Sequence, residues 1–304
     1  MKELKLGTRG SPLALAQART VAAAIEAALR WPEDRVALVP ITTTGDTVKD
    51  RPLAEIGGKM LWTKELDEAL IGGATDVSVH SMKDVESVRP DSIRIAAMLP
   101  RADARDRLIG AESIDALKQG AMVGTSSPRR HAQLLRLRPD LRIVPIRGNV
   151  ETRLAKVRSG EVDATLLAAA GLERLGIDEG AAIPVDVLLP APAQAVIGME
   201  CRRDDLATQK MLASVNDAVA FACVMAERAF TRALGATCAS PLAALAVLEG
   251  GKLHLRAHIF SPDGGEMIED RAKFACGDDA TPEALARDML ARAPAAIRAV
   301  FDAP

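Results

Sequence analysis

The sequence predicts an α/β protein built from two α/β domains of similar design and a third, smaller α+β domain with an antiparallel sheet. Its 304 residues suit two or three domains. Gly7-Thr8…Ser11-Pro12 is echoed by Gly124-Thr125…Ser127-Pro128, each at a predicted strand-to-helix turn. Beyond residue 242, alternating apolar runs are joined by glycine-rich turns, which is typical of an antiparallel sheet.

The N-terminal elements follow from local signals. Leu4–Thr8 reads as a short buried strand, and a helix follows to about Arg30, with Ser11 as its N-cap and Pro12 at its first position. A second strand is predicted over Val36–Ile41. A helix over 64–71 and a strand over 76–80 continue the pattern.

The polar, glycine-containing stretch Thr42–Trp62 has no periodicity, and a loop of this length inside a compact domain is usually functional. We predict that it is a lid that closes on a ligand, with Lys59 and Trp62 among its contacts.

The C-terminal part begins with a helix over 217–234 that Gly235 ends. Strands are predicted over 242–248, 252–260 and 266–275, and a last helix begins at Thr281-Pro282 with Thr281 as its N-cap.

Composition excludes several classes. The net charge is −2, and the aromatic residues are five Phe and two Trp, without Tyr, which disfavours a nucleic-acid-binding protein. The four cysteines form no C-x-x-C pair, so neither a disulfide framework nor a zinc site is expected. No P-loop or G-x-G-x-x-G motif supports a nucleotide cofactor. Without an apolar signal core at the N-terminus, we expect a cytoplasmic protein.

Arginine is unevenly used. The chain has 28 Arg and 11 Lys, and residues 129–174 carry a local excess of five positive charges. Codon bias in an alanine-rich chain is one explanation. The other is an anionic ligand, because the planar guanidinium suits carboxylates and phosphates. The arginines concentrate at predicted strand ends and helix starts, which favours a polyanionic ligand.

Each candidate residue also has a simpler interpretation. Lys83-Asp84 follows a strand directly, where ligand crevices form, but it could be a surface pair. Ser126–Arg130 could be an N-cap followed by two solvated arginines. Cys238 lies between a helix and a sheet among small residues, and it is either a reactive thiol or an inert one.

Several strings in collinear order resemble the porphobilinogen deaminase (hydroxymethylbilane synthase) family over nearly the whole chain. They are Gly7–Ala14, Thr44-Gly45-Asp46, Val79–Val85, Gly124–Arg130, Ile146–Val150, Ala170–Gly176 and Gly198–Arg202.

The resemblance implies two periplasmic-binding-protein-like domains and a third α+β domain. Domain 1 would comprise residues 1–95 and 196–214, domain 2 residues 96–195, and domain 3 residues 215–304 with Cys238.

The resemblance also implies a transferase of tetrapyrrole (haem) biosynthesis. Cys238 would hold a dipyrromethane cofactor through a thioether, without metal or nucleotide. Four porphobilinogen molecules would be joined head to tail with loss of ammonia, and water would release hydroxymethylbilane. Asp84 would stabilise the cationic azafulvene left by deamination and pass a proton to the amine. The implied cofactor- and substrate-binding residues are Arg9, Ser11, Ser81, Lys83, Thr125, Ser127, Arg129, Arg130, Arg147, Gly148, Arg153 and Arg174.

The chain departs from the family pattern at three places. Gly57-Gly58-Lys59-Met60-Leu61-Trp62 replaces Gly-Gly-Lys-Gly-Leu-Phe, Ala193-Gln194-Ala195 replaces Gly-Gln-Gly, and Thr237 stands where glycine is common. The two alanines should restrict the backbone where the chain re-enters domain 1.

Two other functions stay open at this point. One is a non-enzymatic anion-binding module on the same scaffold, because a fold does not determine a function. The other is a nucleic-acid-binding protein that uses the arginine-rich segment. We expect a monomer with a small-molecule substrate and no nucleic-acid or membrane partner.

Overall fold

The computed structural model describes residues 3–47 and 62–301. The chain forms two compact units: unit 1 comprises residues 1–102 and 195–221, and unit 2 comprises residues 103–194 and 222–304. The division into three domains at the boundaries given above remains a prediction.

The strands are numbered in chain order: β1 Leu4–Arg9, β2 Val36–Ile41, β3 Val77–Ser81, β4 Ile93–Met98, β5 Asp106–Ile109, β6 Met122–Gly124, β7 Arg142–Val144, β8 Ala164–Ala168, β9 Ala181–Ala182, β10 Ile197–Arg202, β11 Leu242–Glu249, β12 Lys252–Phe260 and β13 Met267–Phe274. The helices are α1 Pro12–Leu29, α2 Thr44–Thr47, α3 Lys64–Ile71, α4 Pro128–Leu137, α5 Val150–Arg158, α6 Ala169–Arg174, α7 Leu206–Ala213, α8 Ala218–Ala233, α9 Ala280–Ala291 and α10 Ala295–Phe301, with a 3-10 turn over Met82–Asp84.

Local capping explains where several helices begin and end. The Ser11 hydroxyl accepts from the Ala14 amide at the start of α1, and the Ser127 hydroxyl accepts from the Arg130 amide at the start of α4, as predicted. The predicted cap of α9 is wrong. Its N-cap is Asp279, and Thr281 lies inside the helix, bonded through its amide and hydroxyl to Asp278.

Two five-stranded sheets share one topology, one in each unit. In unit 1 the order is β2-β1-β3-β10-β4, and in unit 2 it is β7-β6-β8-β5-β9. In each sheet the first three strands are parallel, and the fourth, β10 or β5, runs antiparallel to both neighbours. The predicted pair of similar α/β designs is therefore confirmed.

The third sheet is antiparallel, in the order β11-β12-β13, and belongs to unit 2. Helices α8, α9 and α10 cover it around a core that includes Phe230, Ile259 and Phe301. Ala132 of α4 and Phe260 of β12 share a separate apolar cluster, which packs this sheet against helix α4 within unit 2. The α/β class with a small antiparallel C-terminal sheet is confirmed.

Within residues 3–47 and 62–301, no helix combines the length and apolar character that a membrane span requires.

Candidate active site

The predicted site residues of unit 1 collect at one edge of its sheet. Strands β1 and β3 are parallel neighbours, with Gly7 paired to Ser78, so their C-terminal ends meet at the same edge. Arg9 ends β1, and Ser81 ends β3. Lys83 and Asp84 follow within the 3-10 turn, and both are half-buried. The edge therefore carries cations, hydroxyls and a carboxylate close together in the fold.

Two further contacts hold this edge. The Ser81 hydroxyl lies 2.8 Å from Nε2 and 3.1 Å from Oε1 of Gln17, a buried residue of α1. The guanidinium carbon of Arg9 lies 3.9 Å from the centroid of the Trp62 ring, a cation–π distance. A Cβ on Gly45 would meet that ring at 2.2 Å, so only glycine fits beneath the indole. Lys59 and most of the predicted lid lie outside the described residues.

The predicted site residues of unit 2 follow its three parallel strands at one edge. After β6 come Thr125, Ser127, Arg129 and Arg130; after β7 come Arg147, Gly148 and Arg153; after β8, the helix α6 ends at Arg174. Because parallel strands end at a common edge, the fold brings these three groups to one side of the sheet.

Arg129 and Arg130 are buried and share one carboxylate. Their side chains donate from Nη2 to the two oxygens of Asp106, each at 2.7 Å. Their Nη1 atoms donate to main-chain carbonyls, Arg129 to Leu189 at 2.7 Å and Arg130 to Leu166 at 2.8 Å. The two arginines are 4% and 6% exposed, and Asp106 is 0% exposed. They are therefore not a solvated face.

This cluster, Asp106 with Arg129 and Arg130, carries an excess positive charge. Burial alone raises the pKa of Asp106, but the two guanidinium charges outweigh it and hold that pKa well below its usual range. Burial also lowers the pKa of Arg129. The Nε atoms of both arginines are buried and have no hydrogen-bond partner among the described residues. A dry site with one uncompensated cation and unused donors suits an anionic ligand.

The other arginines at this edge are less enclosed. Arg153 donates from Nε to the Gly148 carbonyl at 3.0 Å. Gly148 has φ +113°, and a Cβ there would meet the Thr152 side chain at 2.6 Å, so the position requires glycine. Burial lowers the pKa of Arg174. Arg147 is half-buried.

Cys238 is exposed on a tight turn of unit 2, between α8 and β11. The Ser240 amide donates to the Thr237 carbonyl at 3.1 Å, and the Thr237 amide donates to the Ser240 hydroxyl at 3.1 Å. The Thr237 hydroxyl accepts from the Ala239 amide at 3.2 Å. Thr237, a departure from the family pattern, thus helps to hold the turn that presents the thiol.

The backbone is strained at Ala193-Gln194-Ala195, the other departure from the family pattern among the described residues. Ala193 has φ +60° and Ala195 has φ +72°, in the left-handed region that favours glycine. Gln194 between them is buried, and its side-chain Nε2 donates to Asp106 Oδ1 at 3.0 Å. The Ala193 amide donates to the buried carboxylate of Glu227 at 2.5 Å. Specific bonds therefore hold the backbone where the alanines restrict it.

A second buried cluster, which was not predicted from the sequence, lies in unit 1, where Arg89 and His80 meet Glu200 of β10. Glu200 is charged within the otherwise apolar strand run Ile197–Cys201, and such a position signals a buried, paired charge. Asp106 gave no such signal, because Arg105 and Arg107 flank it and suggest a solvent-exposed pair. The described parts of the chain hold no group of three or more His, Cys, Asp or Glu side chains placed to bind a metal ion.

Comparison with known proteins agrees with the resemblance seen in the sequence. Residues 4–210 match the family described as "Porphobilinogen deaminase, dipyromethane cofactor binding domain", and residues 221–292 match "Porphobilinogen deaminase, C-terminal domain".

Two curated relatives are similar over nearly their whole length. The porphobilinogen deaminase of Sphingopyxis alaskensis is 52% identical over 305 residues, which cover 98% of this chain and 96% of that protein. The porphobilinogen deaminase of Paracoccus denitrificans is 47% identical over 298 residues, which cover 96% and 95%. Among solved structures, the periplasmic aliphatic sulphonate binding protein of Escherichia coli aligns with a TM-score of 0.39 at 18% identity, over 76% of this chain and 70% of that one. The chain belongs to the porphobilinogen deaminase family, whose members are transferases.

Proposed function

We propose that the chain joins four porphobilinogen molecules head to tail, with loss of ammonia at each addition, and releases hydroxymethylbilane by hydrolysis. The growing product would be held on a dipyrromethane bound through a thioether to Cys238. The observation that carries the proposal is the buried cluster of Asp106, Arg129 and Arg130 in a chain of this family.

The charge of that cluster matches the substrate. Each pyrrole ring of porphobilinogen bears an acetate and a propionate, so a growing chain accumulates carboxylates. Arg129 and Arg130 leave one positive charge uncompensated after Asp106 is counted, in a dry environment where a charge-assisted bond is strong. Arg147, Arg153 and Arg174 follow the neighbouring strands and would bind further carboxylates.

Unit 2 also fits a dipyrromethane group. Cys238 is exposed on a turn that three local bonds hold, so its sulfur is accessible for a thioether. Thr125 and Ser127, with the arginines of the same unit, would hold the ring carboxylates. When bound, the group supplies a tethered pyrrole carbon to which the first substrate is joined.

The residues of unit 1 would perform the deamination. The Asp84 carboxylate would accept a hydrogen bond from the pyrrole N–H and stabilise the positive charge that develops on the substrate as ammonia leaves. The same carboxyl would hold the proton that passes to the departing amine. Arg9, Ser11, Ser81 and Lys83 would bind the substrate carboxylates beside it.

We also propose that the chain acts as a cytoplasmic monomer without a nucleic-acid partner. The near-neutral net charge and the scarcity of aromatic residues support the last point. Light scattering of the purified protein should give the mass of one chain, and a dimer mass would refute the monomer.

Intact-mass spectrometry tests the proposed function most directly. Protein from cells that make porphobilinogen should be heavier than its sequence by two linked pyrrole units and should turn over porphobilinogen. Cys238→Ser should lack both the added mass and the activity. Cys276→Ser removes the other exposed cysteine and is the matched control, which should keep both. An unmodified wild-type mass, or an adduct that persists in Cys238→Ser, would refute the attachment.

A further inference from the structure

The segment that carries Lys83 and Asp84 is held at both ends by one buried carboxylate. The segment begins at His80, the penultimate residue of β3, and ends at Arg89, four residues before β4. His80 Nε2 lies 3.1 Å from Glu200 Oε2, a close polar contact whose angles are not those of a hydrogen bond. Arg89 forms a bidentate pair with the same carboxylate, from Nε to Oε1 and from Nη2 to Oε2, each at 2.8 Å. Glu200 is 0% exposed.

Arg89 uses all of its donors in this cluster. Besides its two bonds to Glu200, it donates from Nη2 to Asp67 at 2.5 Å. From Nη1 it donates to Glu86 at 3.1 Å and to Thr63 at 3.3 Å. All five N–H groups of Arg89 therefore have an acceptor. Lysine has three N–H groups on one nitrogen and could not make the same five bonds.

The electrostatics make this arrangement stiff. Burial alone raises the pKa of Glu200, but His80 and Arg89 outweigh it and lower that pKa to about 2. Burial raises the pKa of Asp67, and Arg89 opposes that rise. Since the groups are dry, moving any one of them leaves a buried charge unpaired. The two ends of the segment are consequently fixed relative to β10.

A separate contact seats the turn itself. Met82, which begins the 3-10 turn, is 1% exposed, and its amide donates to the Val196 carbonyl at 3.0 Å. A Cβ on Gly198 of β10 would meet Met82 Sδ at 2.0 Å, so the methionine occupies space that only glycine leaves. Met82 is two residues from Asp84, so Val196, just before β10, and Gly198 within β10 together set the position of the turn.

Resting on the role proposed for Asp84, we infer that Arg89 and Glu200 are positioning residues, which hold the Asp84 carboxylate where the substrate cation develops. They act through the segment that they clamp. Loss of the clamp should therefore reduce turnover through Asp84 and leave substrate affinity nearly unchanged, because a small displacement of a catalytic group is costly to rate.

Arg89→Lys tests this inference, since it keeps the charge and removes the fork. We expect kcat to fall at least tenfold, with KM within threefold of wild type. In an Asp84→Asn background, single-turnover measurements should show less than a twofold further loss. Arg202→Lys is the matched control, because Arg202, the last residue of β10, binds the carbonyls of Leu70 and Thr75 and has no contact with Arg89 or Glu200 among its hydrogen bonds and ion pairs. It should leave kcat unchanged.

Two further measurements keep the inference falsifiable. Amide hydrogen exchange over residues 81–88 should be at least tenfold faster in Arg89→Lys than in wild type or Arg202→Lys. If Arg89→Lys does not fold, Gly198→Ala displaces Met82 without a change of charge and should lower kcat in the same way. The inference would be overturned if Arg89→Lys lowered the rate equally in the wild-type and Asp84→Asn backgrounds. Unchanged amide exchange over residues 81–88 would also overturn it. A wild-type chain without turnover would refute the proposed function instead, and exchange alone would then decide on the clamp.

Discussion

The two buried ion clusters have inverse compositions. In unit 1, one guanidinium, that of Arg89, serves the three carboxylates of Asp67, Glu86 and Glu200. In unit 2, one carboxylate, that of Asp106, serves two guanidiniums. Glu200 and Asp106 each lie on the antiparallel strand of their sheet, Glu200 on β10 and Asp106 on β5.

The difference shows how one sheet design can support two electrostatic environments. A buried cluster whose charges do not cancel attracts a ligand of the opposite sign. The excess in unit 2 is positive and suits substrate carboxylates. The excess in unit 1 is negative and lies at the two ends of the segment that carries Asp84, the residue that we propose stabilises the positive charge of the reaction.

The largest effect should come from removing the charge of Asp106 or Glu200, the carboxylate that each cluster has on the antiparallel strand of its sheet. Asp106→Asn leaves two guanidiniums buried without a counter-charge, and we expect the free energy of unfolding to fall by about 3–5 kcal/mol. Glu200→Gln leaves Arg89 with two carboxylates and should cost about 1.5–3 kcal/mol. Urea denaturation measures both, and equal losses would contradict the inverse composition.

The pH dependence of stability in wild type and Glu200→Gln sharpens this comparison. The pKa of Glu200 in the folded chain is about 2, below the usual 4.5. Its stabilisation should be complete above about pH 4.5 and be lost as the pH falls towards 2. The stability difference between wild type and Glu200→Gln should therefore shrink across that window. A difference that is constant from pH 5 to pH 2.5 would show that Glu200 acts by packing alone.

Asp84→Asn tests the negative side of the comparison. It keeps the size and one acceptor but removes the charge, and we expect a loss in turnover of about a hundredfold or more. Asp84→Glu keeps the charge one methylene further out and should retain partial activity. Single-turnover kinetics, with cofactor content checked by mass, provide the measurement. Near-normal rates in cofactor-bearing Asp84→Asn would show that another group stabilises the substrate cation.

Arg129→Lys and Arg130→Lys test the positive side. Each keeps the charge but loses the bidentate fork, and we expect binding of substrate carboxylates to weaken by about 1.5–3 kcal/mol, roughly ten- to a hundredfold. KM and cofactor content report the loss. Arg136→Lys, exposed on the same helix, is the control. Normal KM and full cofactor content in both variants would mean that the cluster serves stability only.

The smallest expected effect concerns the strained segment that carries Gln194 to Asp106. Ala193→Gly and Ala195→Gly should each stabilise the chain by about 0.5–1 kcal/mol, because glycine adopts positive φ without a steric penalty. Ala121→Gly, at a buried alanine with ordinary backbone, should destabilise it instead. Denaturation midpoints that fall in all three variants would show that the lost methyl groups outweigh the strain.

Local elements of this fold could be predicted from the sequence, whereas the buried ion partners could not. The bounds of β2, α3 and β12 and the caps at Ser11 and Ser127 follow from signals a few residues long. The site edges follow as well, since each predicted strand ends at a turn rich in polar residues.

The clusters depend instead on contacts between distant residues. Asp106 meets Arg129 23 positions later, and Arg89 meets Glu200 111 positions later. Only the packing of each sheet selects those partners. The charged residue inside the apolar strand β10 was the one sequence signal that such a partner existed.

The topology of unit 1 has a consequence for synthesis on the ribosome. In its sheet, β4 is one of the two edge strands, and β10 separates it from β3. The first 102 residues therefore emerge with β4 unable to pair in its native place, and Arg89 emerges without Glu200. At roughly 5–20 residues per second, the missing strand follows about 5–20 s later. During that interval the nascent chain exposes a strand edge, Arg89 has Asp67 and Glu86 but lacks its bidentate partner Glu200, and unit 1 can close only once β10 has left the exit tunnel.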